Sequence, residues 1–144
     1  PPCDTNNYYM RCEIDGSPWE ATSIGFPPSI DLFGALSGYL NIMTEGQILI
    51  RNIDSFSVVN TYIFSENGVS PGFASFRYNP DASNLITSRS YRPVGDNGLL
   101  EVTNVDLTDS TVTGTFSLTA YDLNITPLDT IQITNGEFFV PFDN

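Results

Sequence analysis

The sequence predicts an all-β protein, a single antiparallel β-sandwich or flattened barrel of about nine or ten strands. Three observations carry that prediction. Apolar and polar residues alternate with period two along most of the chain. Turn signals built from Gly, Asn, Asp and Pro recur at short intervals. Only one stretch, 25–38, breaks the alternation. At 144 residues the chain reads as one domain, 1–144, with 1–7 as an extended N-terminal tail.

Taken in order, the first strand is expected at 8–14, where Tyr8, Met10, Cys12 and Ile14 share one face. Asp15-Gly16 then turns the chain into a second strand at 18–24. In 25–38, Ser29 is a candidate cap for a short helix with Ile30, Phe33 and Leu36 or Ala35 inward, although Gly34 equally suits a single turn or packed loop. Further strands are expected at 39–44, 47–53, 56–64, 73–78, 84–89 and 98–106. The clearest one follows. Val112, Gly114, Phe116, Leu118 and Ala120 face one way, and Thr111, Thr113, Thr115, Ser117 and Thr119 the other, which describes a strand with one wet face. At the C-terminus Asn135-Gly136 admits two readings. One is a type I′ hairpin that places Ile133 against Phe138 and Ile131 against Val140. The other is one long strand with a bulge at Gly136 that flips side-chain parity. Phe116, Leu118, Ile131, Ile133, Phe138 and Val140 are expected in one core.

The chain has no lysine and no histidine; its cations are Arg11, Arg51, Arg77, Arg89 and Arg92. A Ser-His-Asp or Cys-His relay, a Schiff-base lysine and a histidine-bound metal are therefore excluded, and the chain is expected not to be an enzyme. Seventeen acids give a net charge of −12, which disfavours nucleic acid and anionic membranes as partners. No apolar run approaches the roughly 20 residues of a membrane span. The start at Pro1, with no methionine, is expected to mark a processed, exported chain.

Two cysteines, Cys3 and Cys12, suit a disulfide that pins the tail to the first strand in an oxidising compartment. The parity of Cys12 also fits a buried free thiol. A third reading makes Cys3 a lipid-modified residue, against which stand Pro1 and Pro2 ahead of it. The tail, rich in Pro and Asn, is expected to dock on a sheet edge or on another subunit.

Tyr9-Met-Arg-Cys-Glu-Ile-Asp-Gly-Ser-Pro-Trp-Glu-Ala21, with Val112–Tyr121 and Ile131–Phe138, resembles the opening and closing signatures of small secreted proteins and lipoproteins of Bacteroidota. The resemblance covers about the first twenty and last thirty residues. It implies a β-rich domain of unknown function, exported by a Gram-negative cell to its outer surface or beyond. It implies no reaction and no active site.

Four constellations are candidates for function. Carboxylates Glu13, Asp15, Glu20, Glu101 and Asp106 are compatible with hydrolysis only if two converge in a cleft; a solvated acidic surface is the simpler account. No cofactor is expected, and calcium is the one candidate ion, at Asp106–Asp109, Asn79–Asp81 or Asp122–Asn124. Trp19, Tyr39, Tyr62, Tyr78 and Tyr91 are candidates for a sugar-stacking platform, with Trp19 better placed as core. Arg89, Tyr91 and Arg92, with Arg77 nearby, form the one dense basic spot, suited to gripping a carboxylate on a partner or glycan, although an ion pair within the chain or between subunits is the more ordinary use on so acidic a protein. Ser110 and Thr130 match the short O-glycosylation pattern of the same bacterial group, and Asn124 the N-glycan pattern. These features point first to a structural subunit of an extracellular or cell-surface fibre or coat, forming a homo-oligomer or polymer. A monomeric outer-surface binding module for a glycan, peptide or outer-membrane partner is the alternative, and a carboxylate hydrolase stands third.

Overall fold

The computed structural model describes residues 8–22, 28–30, 36–41, 45–51, 60–65, 73–81, 91–93, 95–122 and 129–142. It is all-β: β1 (Tyr9–Ile14), β2 (Ser17–Thr22), β3 (Ser29–Ile30), β4 (Leu36–Asn41), β5 (Glu45–Arg51), β6 (Asn60–Ser65), β7 (Phe73–Asp81), β8 (Asp96–Asp106), β9 (Thr111–Asp122) and β10 (Asp129–Pro141). They form one curled sheet in the order β2-β1-β10-β9-β8-β6-β7-β5-β4-β3. The far end of that order returns to its other half, because Ile30 is bridged in parallel to Phe142, just past β10. Among the described residues no helix is long and apolar enough to cross a membrane, which says nothing about crossing by strands.

The expectation of a wholly antiparallel sheet is corrected at one joint. Ile63↔Phe73 and Phe64↔Ala74 pair β6 with β7 in parallel, so the sheet is mixed. Neighbours in sequence are thereby separated from neighbours in space. β5 skips β6 and pairs with β7, while β6 pairs with β8.

Alternation explains the core. Met10 and Cys12, Trp19 and Ala21, Ile48 and Ile50, Tyr62 and Phe64, and Ala74 and Phe76 all turn inward from successive strands. Phe116, Leu118, Ile131, Ile133, Phe138 and Val140 join the same cluster as expected. A two-residue turn at Asp15 (φ 50°) and Gly16 (φ 84°) closes the β1–β2 hairpin, the left-handed pair that an Asp-Gly step supplies.

The C-terminal Asn135-Gly136 step is not a hairpin. β10 runs unbroken past it, and its register slips between Ile133↔Leu118 and Gly136↔Phe116. Asn135 takes the left-handed conformation (φ 52°) and absorbs the extra residue. The bulge moves the inward set from Ile131 and Ile133 to Phe138 and Val140 without exposing either pair. Pairing with both β9 and β1 favours it over a turn, since a hairpin would leave β9 or β1 short of a neighbour.

The helix considered for 25–38 is also corrected at its two described pieces. Ser29 pairs with Ser37 and Ile30 with Leu36 as strands β3 and β4, so Ser29 lies within a strand. Ile30 and Leu36 are fully buried, and that pairing outweighs the weak local helical tendency of a segment holding Gly34. The strand expected at 84–89 and the tail 1–7 lie outside the described residues.

Candidate functional site

β5 and β7 present their outward positions to solvent side by side. Leu49 lies opposite Arg77, and Arg51 opposite Ser75. Arg51 and Arg77 are therefore diagonal neighbours on one face, a relation in which long side chains meet. A third cation comes from the 91–93 segment, which is laced to two strands. Tyr78 and Tyr91 exchange backbone hydrogen bonds of 3.1 and 2.9 Å, and Arg92 and Tyr121 exchange bonds of 2.9 and 2.8 Å. Arg51, Arg77 and Arg92, with Leu49, Ser75, Phe76 and Pro93, line one depression of about 120 Å³.

Three of the chain's five arginines thus meet on a protein of net charge −12. Among the described residues the ion pairs all belong to Arg11, which lies between Glu137 and Glu20. The Nε of Arg92 is buried and has no hydrogen-bond partner among the described residues. A buried donor left unmatched costs about 1–3 kcal/mol. Among the described residues no carboxylate lines the depression. The arrangement is a set of guanidinium donors with no counterion among the described residues.

The second surface is the outer face around the β10 bulge. The pairings Thr61↔Glu101, Glu101↔Thr115, Thr115↔Glu137, Glu137↔Arg11 and Arg11↔Glu20 make one transverse row across six strands. The Arg11 guanidinium hydrogen-bonds Glu137 and sits 4.2 Å from the Tyr9 ring centre, and the Glu137 contact holds its pKa above the ordinary value. An open concavity of about 600 Å³ lies over Leu99, Glu101, Ser117, Asn135 and Glu137. A neighbouring one of about 310 Å³ shares Asn135 and Glu137. Ile63 and Leu99 pair across β6 and β8 and are both exposed, at 39% and 45%. Glu101 and Glu137 stand two strands apart on an open face, with Glu137 already tied to Arg11.

The sequence-based candidates divide as follows. Arg92 and Arg77 do come together. Arg89 lies outside the described residues. Tyr91 is corrected: it is 4% exposed and stacks on Tyr78 at 5.8 Å, so it anchors the segment from inside rather than touching a partner. Trp19 and Tyr62 are also core residues, so neither they nor Tyr91 form a stacking platform. Cys12 is a buried free thiol. That is the second of the two readings weighed for it; Cys3, the other half of the expected disulfide, lies outside the described residues. Burial pushes the Cys12 thiol up to about 12.

Asp106 spends one carboxylate oxygen on the N–H groups of Thr108 (2.9 Å) and Asp109 (3.0 Å), a turn-building role. Among the described residues no three acidic or sulfur side chains gather as a metal group would require. The side chains of Asn79 and Asp81, and Asn124 altogether, lie outside the described residues. Ser110 is half-buried in the β8–β9 turn, and its carbonyl accepts the Phe142 N–H at 2.9 Å, whereas Thr130 is exposed. Exposure therefore favours Thr130 over Ser110 as a modifiable hydroxyl.

Arg51 was missed by sequence reasoning. The alternation Leu49–Arg51 and Ser75–Arg77 signals two outward arginines, but nothing in the sequence says that β5 and β7 are neighbours across the intervening β6. Comparison with known protein families, with curated proteins and with solved structures gives no match.

Proposed function

We propose that this chain is a non-enzymatic binding module that grips an acidic group on its partner through Arg51, Arg77 and Arg92. The observation that supports it is the convergence of three arginines that form no ion pair among the described residues, on a protein of net charge −12. Guanidinium forks match carboxylates and similar anions in shape as well as charge. We place the module on the outer surface of a Gram-negative, Bacteroidota-type cell, or outside it, in line with the sequence resemblance. The bridge from Ile30 to Phe142 favours a flattened barrel over a sandwich as the description of the curled sheet.

The test is binding to surfaces coated with a polyuronate, with poly-glutamate or with neutral dextran, at physiological ionic strength. There the Debye length is about 8 Å, so the general repulsion of the acidic protein is screened while contact pairs persist. Saturable binding to an acidic surface and none to dextran supports the proposal. Equal binding to all three, or to none, overturns it.

A second reading, the structural subunit of a fibre or coat, is favoured by the exposed Ile63–Leu99 pair beside the outer concavity. In that case the wild-type chain sediments as an oligomer and the Ile63→Thr, Leu99→Thr double variant as a monomer. A monomeric wild type excludes it.

A further inference from the structure

We infer that the depression between β5, β7 and the 91–93 segment is a site for one oxyanion group of the carboxylate or sulfate kind. This rests on reading the three arginines as the working site and adds what they hold.

The size of the site sets the first bound. The depression is small, about 120 Å³, and open to solvent, which suits a compact charged group reaching in from the surface.

The lining sets the chemistry. Arg51, Arg77 and Arg92 supply N–H donors, and Ser75 lies between Arg51 and Arg77 on the same face, where its hydroxyl is a fourth donor. Among the described residues no acidic side chain lines the site, and three like cations favour an anion there. Leu49, Phe76 and Pro93 complete the lining and exclude bulk water from part of it, which strengthens charge contacts there. Arg92 brings a buried Nε, unmatched among the described residues, and an oxyanion is the group that matches such a donor.

The cost to the fold points the same way. Arg51 and Arg77 are like charges on diagonal positions of one face, within reach of each other. The chain has seventeen acids with which to neutralise Arg51 and Arg77, yet among the described residues neither forms an ion pair. Arg92 is fixed by the paired backbone bonds to Tyr121 and cannot swing away with its segment. A bound oxyanion relieves all three at once. Chloride accepts N–H bonds but has no pair of oxygens to match the two arms of a fork, and it serves as the competitor control.

The experiment is an amide chemical-shift titration of the isotopically labelled full chain with sodium sulfate and sodium acetate, each at constant ionic strength balanced by sodium chloride. Saturable shifts are expected at Leu49, Arg51, Ser75, Arg77 and Arg92. They should weaken at least tenfold in Arg77→Gln and in Arg51→Gln, two exposed positions whose replacement leaves the core untouched. Arg92→Gln should lose binding altogether; if that variant unfolds, the Arg51→Gln, Arg77→Gln double variant serves in its place. Linear, chloride-like shifts, or saturation unchanged by the double variant, overturn the inference.

The polymer surfaces separate the two levels of the account. Polymer binding without a response to free oxyanions removes this inference and leaves the binding module standing. A saturable oxyanion response without polymer binding does the opposite, and assigns the site to a free small anion.

Discussion

Asp15 and Gln132 continue the β1–β10 ladder beyond the end of β1. The Asp15 N–H donates to the Gln132 carbonyl at 2.9 Å, and the Gln132 N–H donates to the Asp15 carboxylate at 2.8 Å. A side chain thus replaces a backbone acceptor where the hairpin turns away. The same residue holds the left-handed conformation that the turn needs.

Asp15→Ala removes that acceptor and places alanine at positive φ, so it should destabilise the fold by about 1–2 kcal/mol. Asp15→Asn keeps an acceptor and tolerates the conformation, and should cost less than half as much. Urea unfolding of the three proteins checks the ranking. Equal stability would show that the latch contributes nothing.

Gly114 is packed where no side chain fits. A Cβ there would overlap the Glu101 carbonyl oxygen and the Phe138 ring. Gly114→Ala should therefore cost about 3 kcal/mol or more, since both neighbours sit in paired strands that cannot retreat. Thermal unfolding measures it, and a near-wild-type Tm would mean that β9 and β10 repack freely.

Cys12 gives a signed pH dependence. Its folded pKa, about 12 through burial, stands above the ordinary value of 9.0. Between these values the unfolded chain releases the proton and the folded chain keeps it, so stability falls as pH rises from about 9 to 12, by at most about 1.4 kcal/mol per unit. Below pH 8 this contribution is fully present. Tyr78, also raised by burial, adds a loss of the same sign at the upper end. Cys12→Ala should flatten the first part of the decline. Alkylation without reductant should spare Cys12 in the native state and label both cysteines after unfolding. Unlabelled cysteines in the unfolded chain would restore the disulfide.

The strands themselves were legible because half-buried sheets write their period into the sequence. Val112 to Ala120 and Met10 to Cys12 need only alternation to be read. Three features were not legible, each for a physical reason. Asn135-Gly136 suits a hairpin and a bulge alike, and the choice depends on β1 and β9 both needing β10 as a neighbour. Ser29 has a local helical signal that pairing of Ile30 with Leu36 overrides. Arg51 gains meaning only from the parallel β6–β7 joint, a non-local pairing that brings β5 beside β7. Tyr91 failed for the complementary reason. Its neighbour Arg92 suggests a surface spot, but adjacent residues of an extended segment face opposite ways, and Tyr91 turns into the core.

The central claim is that Arg51, Arg77 and Arg92 hold one oxyanion together. Crystals soaked in sodium selenate test it most directly, because selenium scatters anomalously and selenate copies sulfate in shape and charge. The account predicts an anomalous peak within hydrogen-bond reach of the three guanidinium groups, absent in crystals of the Arg51→Gln, Arg77→Gln double variant. Three arginines turned apart, or paired with the chain's own carboxylates and carrying no peak between them, would contradict it.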